Sequence, residues 1–138
     1  ALAAKQAATK MSEPCLDELR ALIAEMHDWA EAGDAHGHAL NHTAFHGTVV
    51  RASGNKTLLR TWSLLEPYAR TYVTAMVPGT DLVWLGDRHT AIVEALAAGD
   101  PEAAAETMRA HAREAEELVL AMDESAFTPV DESVPAEV

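Results

Sequence analysis

The sequence has a single cysteine, Cys15, so no disulfide can form within the chain, and 138 residues must be held together by buried apolar surface. That agrees with a reducing compartment. No apolar run approaches the roughly 18 residues of a membrane span, and the opening ALAAKQAATK lacks the basic-then-apolar layout of a secretory signal. A cytoplasmic protein with no membrane partner is expected. Basic residues are also scarce: 10 Lys and Arg stand against 22 Asp and Glu, a formal net charge of -12. Affinity for nucleic acid comes largely from cationic side chains displacing counterions, so this chain alone is not expected to bind DNA. Neither H-E-x-x-H nor a glutamate three residues before any histidine occurs, which leaves zincin proteases and ferritin-like di-iron bundles without support. The chain does not open on methionine, and its first ten residues read as the back half of a helix. A domain of a longer protein is expected.

What is present is helical. Sustained period-two alternation and Asn-Gly hairpin signals are missing, whereas apolar residues recur every three to four positions. Leu16, Leu19, Leu22, Ile23, Met26 and Ala30 form such a stripe after Ser12, a suitable N-cap, and Gly33 closes that helix. Asp34 suits the cap of a third helix ending at Gly54. A fourth is expected from about Asn55 to Met76, bent at Pro67. A fifth follows from about Asp81 to Ala98, and Asp100-Pro101 starts a sixth that continues to about Met122. The expected fold is an all-α antiparallel helical bundle of about six helices over residues 1–123, with an acidic, flexible tail at 124–138.

Seven histidines occur. His42 and His46 stand four apart, so one helix presents both imidazoles on one face. His89 lies on the stripe of Ile92, Val93 and Leu96, and His111 on that of Ala104, Met108, Ala115 and Leu118, so both should point inward. A neutral imidazole has one N–H and one lone pair, and burying either unpaired costs on the order of 1–3 kcal/mol. Histidines converging from three helices are explained most simply by one shared metal. A hydrogen-bonded core histidine is the alternative at each position. His27, His36 and His38 are expected at the surface or at helix ends, and Trp29, Trp62 and Trp84 in the core or a pocket wall.

The segments A-F-H, A-S-G-N, R-H-T-A-I-V-E-A-L-A-A-G-D and M-R-A-H, in that order, resemble the ligand-binding C-terminal domain of FadR-type regulators in the GntR superfamily. The resemblance runs from about Leu2 to Leu120 and includes A-A-T-K, L-R-A-L-I-A-E-M and W-x-x-L-x-P. It implies an all-α bundle joined, in the whole protein, to an N-terminal winged helix-turn-helix that binds operator DNA as a homodimer. It further implies a divalent metal on an aspartate and three histidines, helping to hold a small carboxylate effector. The three histidines correspond to His46, His89 and His111, and the aspartate position is taken by His42. A nitrogen in place of an anionic oxygen shifts preference toward a transition metal, zinc or nickel foremost. His42 either completes the ligand shell or lines the pocket. Arg88 stands where relatives usually carry an acidic residue. Asn55 and Arg70 are candidate effector contacts; their alternatives are a helix cap and a surface ion pair.

The function expected is therefore effector sensing by a domain of a transcription regulator, without enzymatic activity. A single-metal helical-bundle enzyme or hemerythrin-like carrier, and a metal-free interaction module, remain the competing readings.

Overall fold

The computed structural model describes residues 1–65, 72, 74–76 and 79–120, with the backbone alone at Val119. Among them lie seven helices and no strand: α1 (Leu2–Ala8), α2 (Glu13–Glu31), α3 (Ala35–Ala52), α4 (Lys56–Leu64), α5 (Leu82–Asp87), α6 (Thr90–Ala97) and α7 (Pro101–Leu120). The proposed bend at Pro67 and the tail at 124–138 fall outside the described residues.

Helix starts follow the side chains that satisfy free backbone N–H groups. Asp34, Asn55 and Asp81 accept from the backbone N–H of Gly37, Leu58 and Trp84 at 2.9, 3.1 and 3.0 Å. Asp100 accepts from Glu102 and Ala103 and so opens α7. Ser12 occupies the cap of α2, but its side chain makes no capping bond there. Gly54, at φ 68°, reverses the chain after α3 in a conformation that a Cβ would strain.

The predicted stripe of α2 is confirmed: Leu16, Leu19, Ile23 and Met26 are buried, and Leu22 packs against the same core. A short turn folds α3 back on α2, where Phe45 and Val49 join that core, and α6 adds Ile92, Val93 and Leu96. Helix α1 enters through Ala4, Ala7 and Ala8, small side chains that let it lie close against α7, with Lys5 paired to Glu102.

Two helices differ from expectation. The fifth is not continuous from Asp81 to Ala98 but breaks between Asp87 and Thr90. At the break the Gly86 carbonyl accepts the backbone N–H of His89 at 3.1 Å and lies 3.0 Å from its ring Nδ1. Helix α4 ends at Leu64, with Leu65 as its cap and Pro67 two residues beyond. The residue before a proline disfavours helical backbone, which accounts for an end in this neighbourhood.

Candidate metal centre

Three parts of the bundle deliver imidazoles to one place. Helix α3 carries His42 and His46 one turn apart, the α5–α6 break carries His89, and the middle of α7 carries His111. Each ring offers one nitrogen, and these four nitrogens all lie within 4.8 Å of one another. Ring centroids are 4.8 Å apart for His42 and His46, 4.5 Å for His42 and His89, and 4.6 Å for His89 and His111. His89 and His111 are buried, and the α3 pair is half-buried. Phe45 sets its ring edge-on to His89 at 4.7 Å and closes the inner side.

The hydrogen bonding inside this quartet does not close. A carbonyl can only accept, so the contact to Gly86 assigns the His89 proton to Nδ1 and leaves Nε2 as a lone pair facing the other rings. His46 Nε2 stands 3.3 Å from that lone pair and 2.9 Å from His42 Nε2. If it donates to His89 it has no lone pair for His42; if it accepts from His42, two lone pairs meet at His89. His111 Nδ1 is buried with no partner at all. A cation accepts every lone pair at once, so these residues fit a nitrogen-ligated metal ion better than a closed hydrogen-bond network.

Electrostatics keep the lone pairs available. Burial pushes His46 down to about 4 and His111 to about 3, with the Arg88 charge adding to both. His42 and His89 are also held well below the usual histidine value, by burial first and then by the neighbouring imidazoles. All four rings are neutral at pH 7, the form in which imidazole is a ligand.

Arg88, beside His89 in sequence, ties the two buried histidines together. Its guanidinium donates to the His111 carbonyl at 2.6 Å and to Glu114 Oε2 at 2.8 Å, and it lies 4.6 Å from the Trp84 ring centre. The side chain is only 7% exposed. Sequence reasoning singled out Arg88 only as a departure from relatives. No local pattern in the sequence links it to its partner Glu114.

The remaining histidines divide. His27 Nε2 lies 2.9 Å from Asp87 Oδ1 at a half-exposed position, and His36 is exposed, edge-on to Tyr72. His38, expected at a helix end or the surface, lies in the first turns of α3 but is fully buried, with its ring 6.1 Å from His42. The α2–α3 pairing and α5 cover it, a tertiary effect that the helix-end position does not signal.

Asn55 caps α4 through its carbonyl oxygen and donates from Nδ2 to Gln6 at 3.1 Å. It borders a shallow polar depression with Lys10 and Lys56, apart from the histidines. Arg70 lies outside the described residues. A cavity of about 240 Å³ opens on His46, walled by α1, the end of α3, α4 and Met108 of α7. Leu58, Trp62 and Leu65 line this cavity, so Trp62 stands in a pocket wall, one of the two places expected for it, and α4 has no buried residue. Helical periodicity shows that a face is covered but not whether side chains or a ligand cover it.

Among known proteins, the FCD domain family matches residues 1–114. A probable D-xylose utilization operon transcriptional repressor of Paenarthrobacter nicotinovorans is 37% identical over 95 residues. That match takes in 69% of this chain and 42% of the repressor's length, so this chain corresponds to less than half of that relative.

Proposed function

Because the chain belongs to the FCD domain family, the ligand-binding C-terminal domain of FadR-type regulators in the GntR superfamily, we propose that it is the effector-sensing, metal-binding domain of a transcriptional regulator. The family is one of regulatory domains, not of enzymes. In this reading His42, His46, His89 and His111 hold a divalent transition metal, zinc or nickel. When bound, the ion supplies the concentrated positive charge that draws a small carboxylate.

The protein's own groups do the rest. The Gly86 carbonyl fixes the tautomer of His89, as carbonyls that accept from ligating histidines do. Arg88 sets His89 against His111 and contributes a further positive charge. Asn55 and Arg70 are the proposed effector contacts; Asn55 would have to release Gln6 to serve, while the planar guanidinium of Arg70 suits a carboxylate. Binding would favour one arrangement of the bundle over another and so set the spacing of N-terminal DNA-binding domains in a cytoplasmic homodimer. The relative's name places it at a D-xylose operon as a repressor, and repression through operator DNA is proposed for the whole protein here.

The observation carrying this reading is the unresolved crowding of nitrogens at His46. Elemental analysis of protein purified without an affinity tag tests it. Close to one zinc or nickel per chain is expected, with bound metal lost in His89→Ala and His111→Ala. Metal-free protein that shows no thermal shift with zinc or nickel would leave the quartet as a core feature of an interaction module.

A further inference from the structure

The histidine quartet does not say what else the effector carries beyond its charged end; the cavity beside it does. We propose that this cavity selects a monocarboxylate with a compact hydrocarbon body, aliphatic or aromatic, and discriminates against sugars and sugar acids. The inference rests on the sensing role above and specifies its ligand.

The cavity of about 240 Å³ offers room for about eight water-sized groups. Leu2, Val49, Val50, Leu58, Leu65 and Met108 supply hydrocarbon walls. Among the described lining residues, only His46, Thr61 and Trp62 bring polar side-chain atoms. His46 belongs to the quartet, and Thr61 is exposed and sits toward solvent. The indole of Trp62 stands 6.1 Å from the His46 ring, centre to centre. Among the described lining residues a ligand entering here therefore meets its polar partners at the His46 end and hydrocarbon around the remainder. No carboxylate belongs to the quartet or to the described lining residues, so nothing there repels an anionic head.

Hydroxyl groups fare differently. A pentose or pentonate brings several, and the described lining residues have partners for few of them. Each hydroxyl that loses its water partners without replacement weakens binding by roughly ten-fold or more. A hydrocarbon body of similar size loses nothing on leaving water and gains the burial of its surface. Sites built this way are mostly apolar, with a small number of placed polar groups.

Trp62 provides the readout. The full chain, with and without zinc, is titrated with 4-methylpentanoate, phenylacetate, D-xylose and D-xylonate. Tryptophan emission is followed, and Trp62→Phe identifies the part of the change that comes from the cavity. The expected result is a Trp62-dependent response to the two hydrocarbon acids at concentrations about 100-fold below those needed for xylonate. Leu58→Asn should narrow that gap about ten-fold. Equal or tighter binding of xylose or xylonate overturns the proposal, as does a response to none of the four. Zinc content, measured in parallel by equilibrium dialysis, separates the two readings. Zinc retained without any response to the hydrocarbon acids removes the ligand class and leaves the metal centre standing. A Trp62-dependent response in protein that retains no zinc keeps the ligand class and removes the metal.

Discussion

In water a histidine takes up its proton near pH 6.5, whereas the folded chain holds His46 to about 4 and His111 to about 3. Between those values the unfolded chain binds protons that the metal-free folded chain refuses. Stability supplied by the neutral rings is thus fully present above pH 6.5 and is lost as pH falls toward 4 and then 3. Each such ring contributes a slope of about 1.4 kcal/mol per pH unit inside its window. Chelator-treated protein should show a urea midpoint that falls between pH 7 and pH 5, and His111→Gln should flatten the decline. A midpoint that does not move over this range would mean that the rings are not buried as neutral species. Arg88 permits a second test. Arg88→Gln removes the donors to the His111 carbonyl and to Glu114, and the loss should be about 1–3 kcal/mol by urea denaturation. Glu114→Gln should cost less, because that carboxylate is half exposed.

Helices α2 and α3 meet at a point with no room for a side chain. A Cβ placed on Gly37 would stand 2.4 Å from Trp29 Cδ2. Alanine is the better helix former by up to about 1 kcal/mol, but Gly37 lies in the first turn of α3, where that advantage is smallest. Overpacking of this kind costs about 1–3 kcal/mol, so Gly37→Ala should lower the melting temperature by several degrees; an unchanged or raised value would show that Trp29 yields freely. Element by element, legibility in the sequence depended on whether the cause was local. The caps Asp34 and Asp100 act within three residues and are read directly, as is the stop at Gly54, whereas Asp81 is legible only as an approximate helix start and Asn55 as a cap only in the alternative to an effector contact. The α2 stripe was equally plain, because its period is its own. The break at His89 was not: Leu85, His89, Ile92, Val93 and Leu96 continue one apolar period across it, and neither proline nor a left-handed glycine marks it. The bonds that accompany it run from the His89 ring to Gly86 and from Arg88 to α7. Period alone placed His89 and His111 on inward faces, and spacing put His42 and His46 on one face of α3. That their nitrogens converge, and that His38 is buried beside them, depends on how the helices pack.

At the scale of the molecule, no helix among the described residues is long and apolar enough to cross a membrane, and the chain carries a net charge of -12. An ion that binds the folded chain alone stabilises it by about 2.7 kcal/mol when present at 100 times its dissociation constant. For a chain of 138 residues that corresponds to a rise in melting temperature on the order of 10 °C. Calorimetry of the same preparation with excess zinc and with chelator should show that difference; coincident transitions would count against any specific ion. The alanine helix α1 bears on how such an event spreads. Its buried contacts are the methyls of Ala4, Ala7 and Ala8, while Leu2, Ala3 and Ala4 face the cavity. Larger side chains can absorb a push by changing rotamer, but alanine has no rotamers to change. The helix therefore has almost no give: pressure from the cavity side would pass through α1 to α7 as rigid displacement, with little lost to side-chain slack.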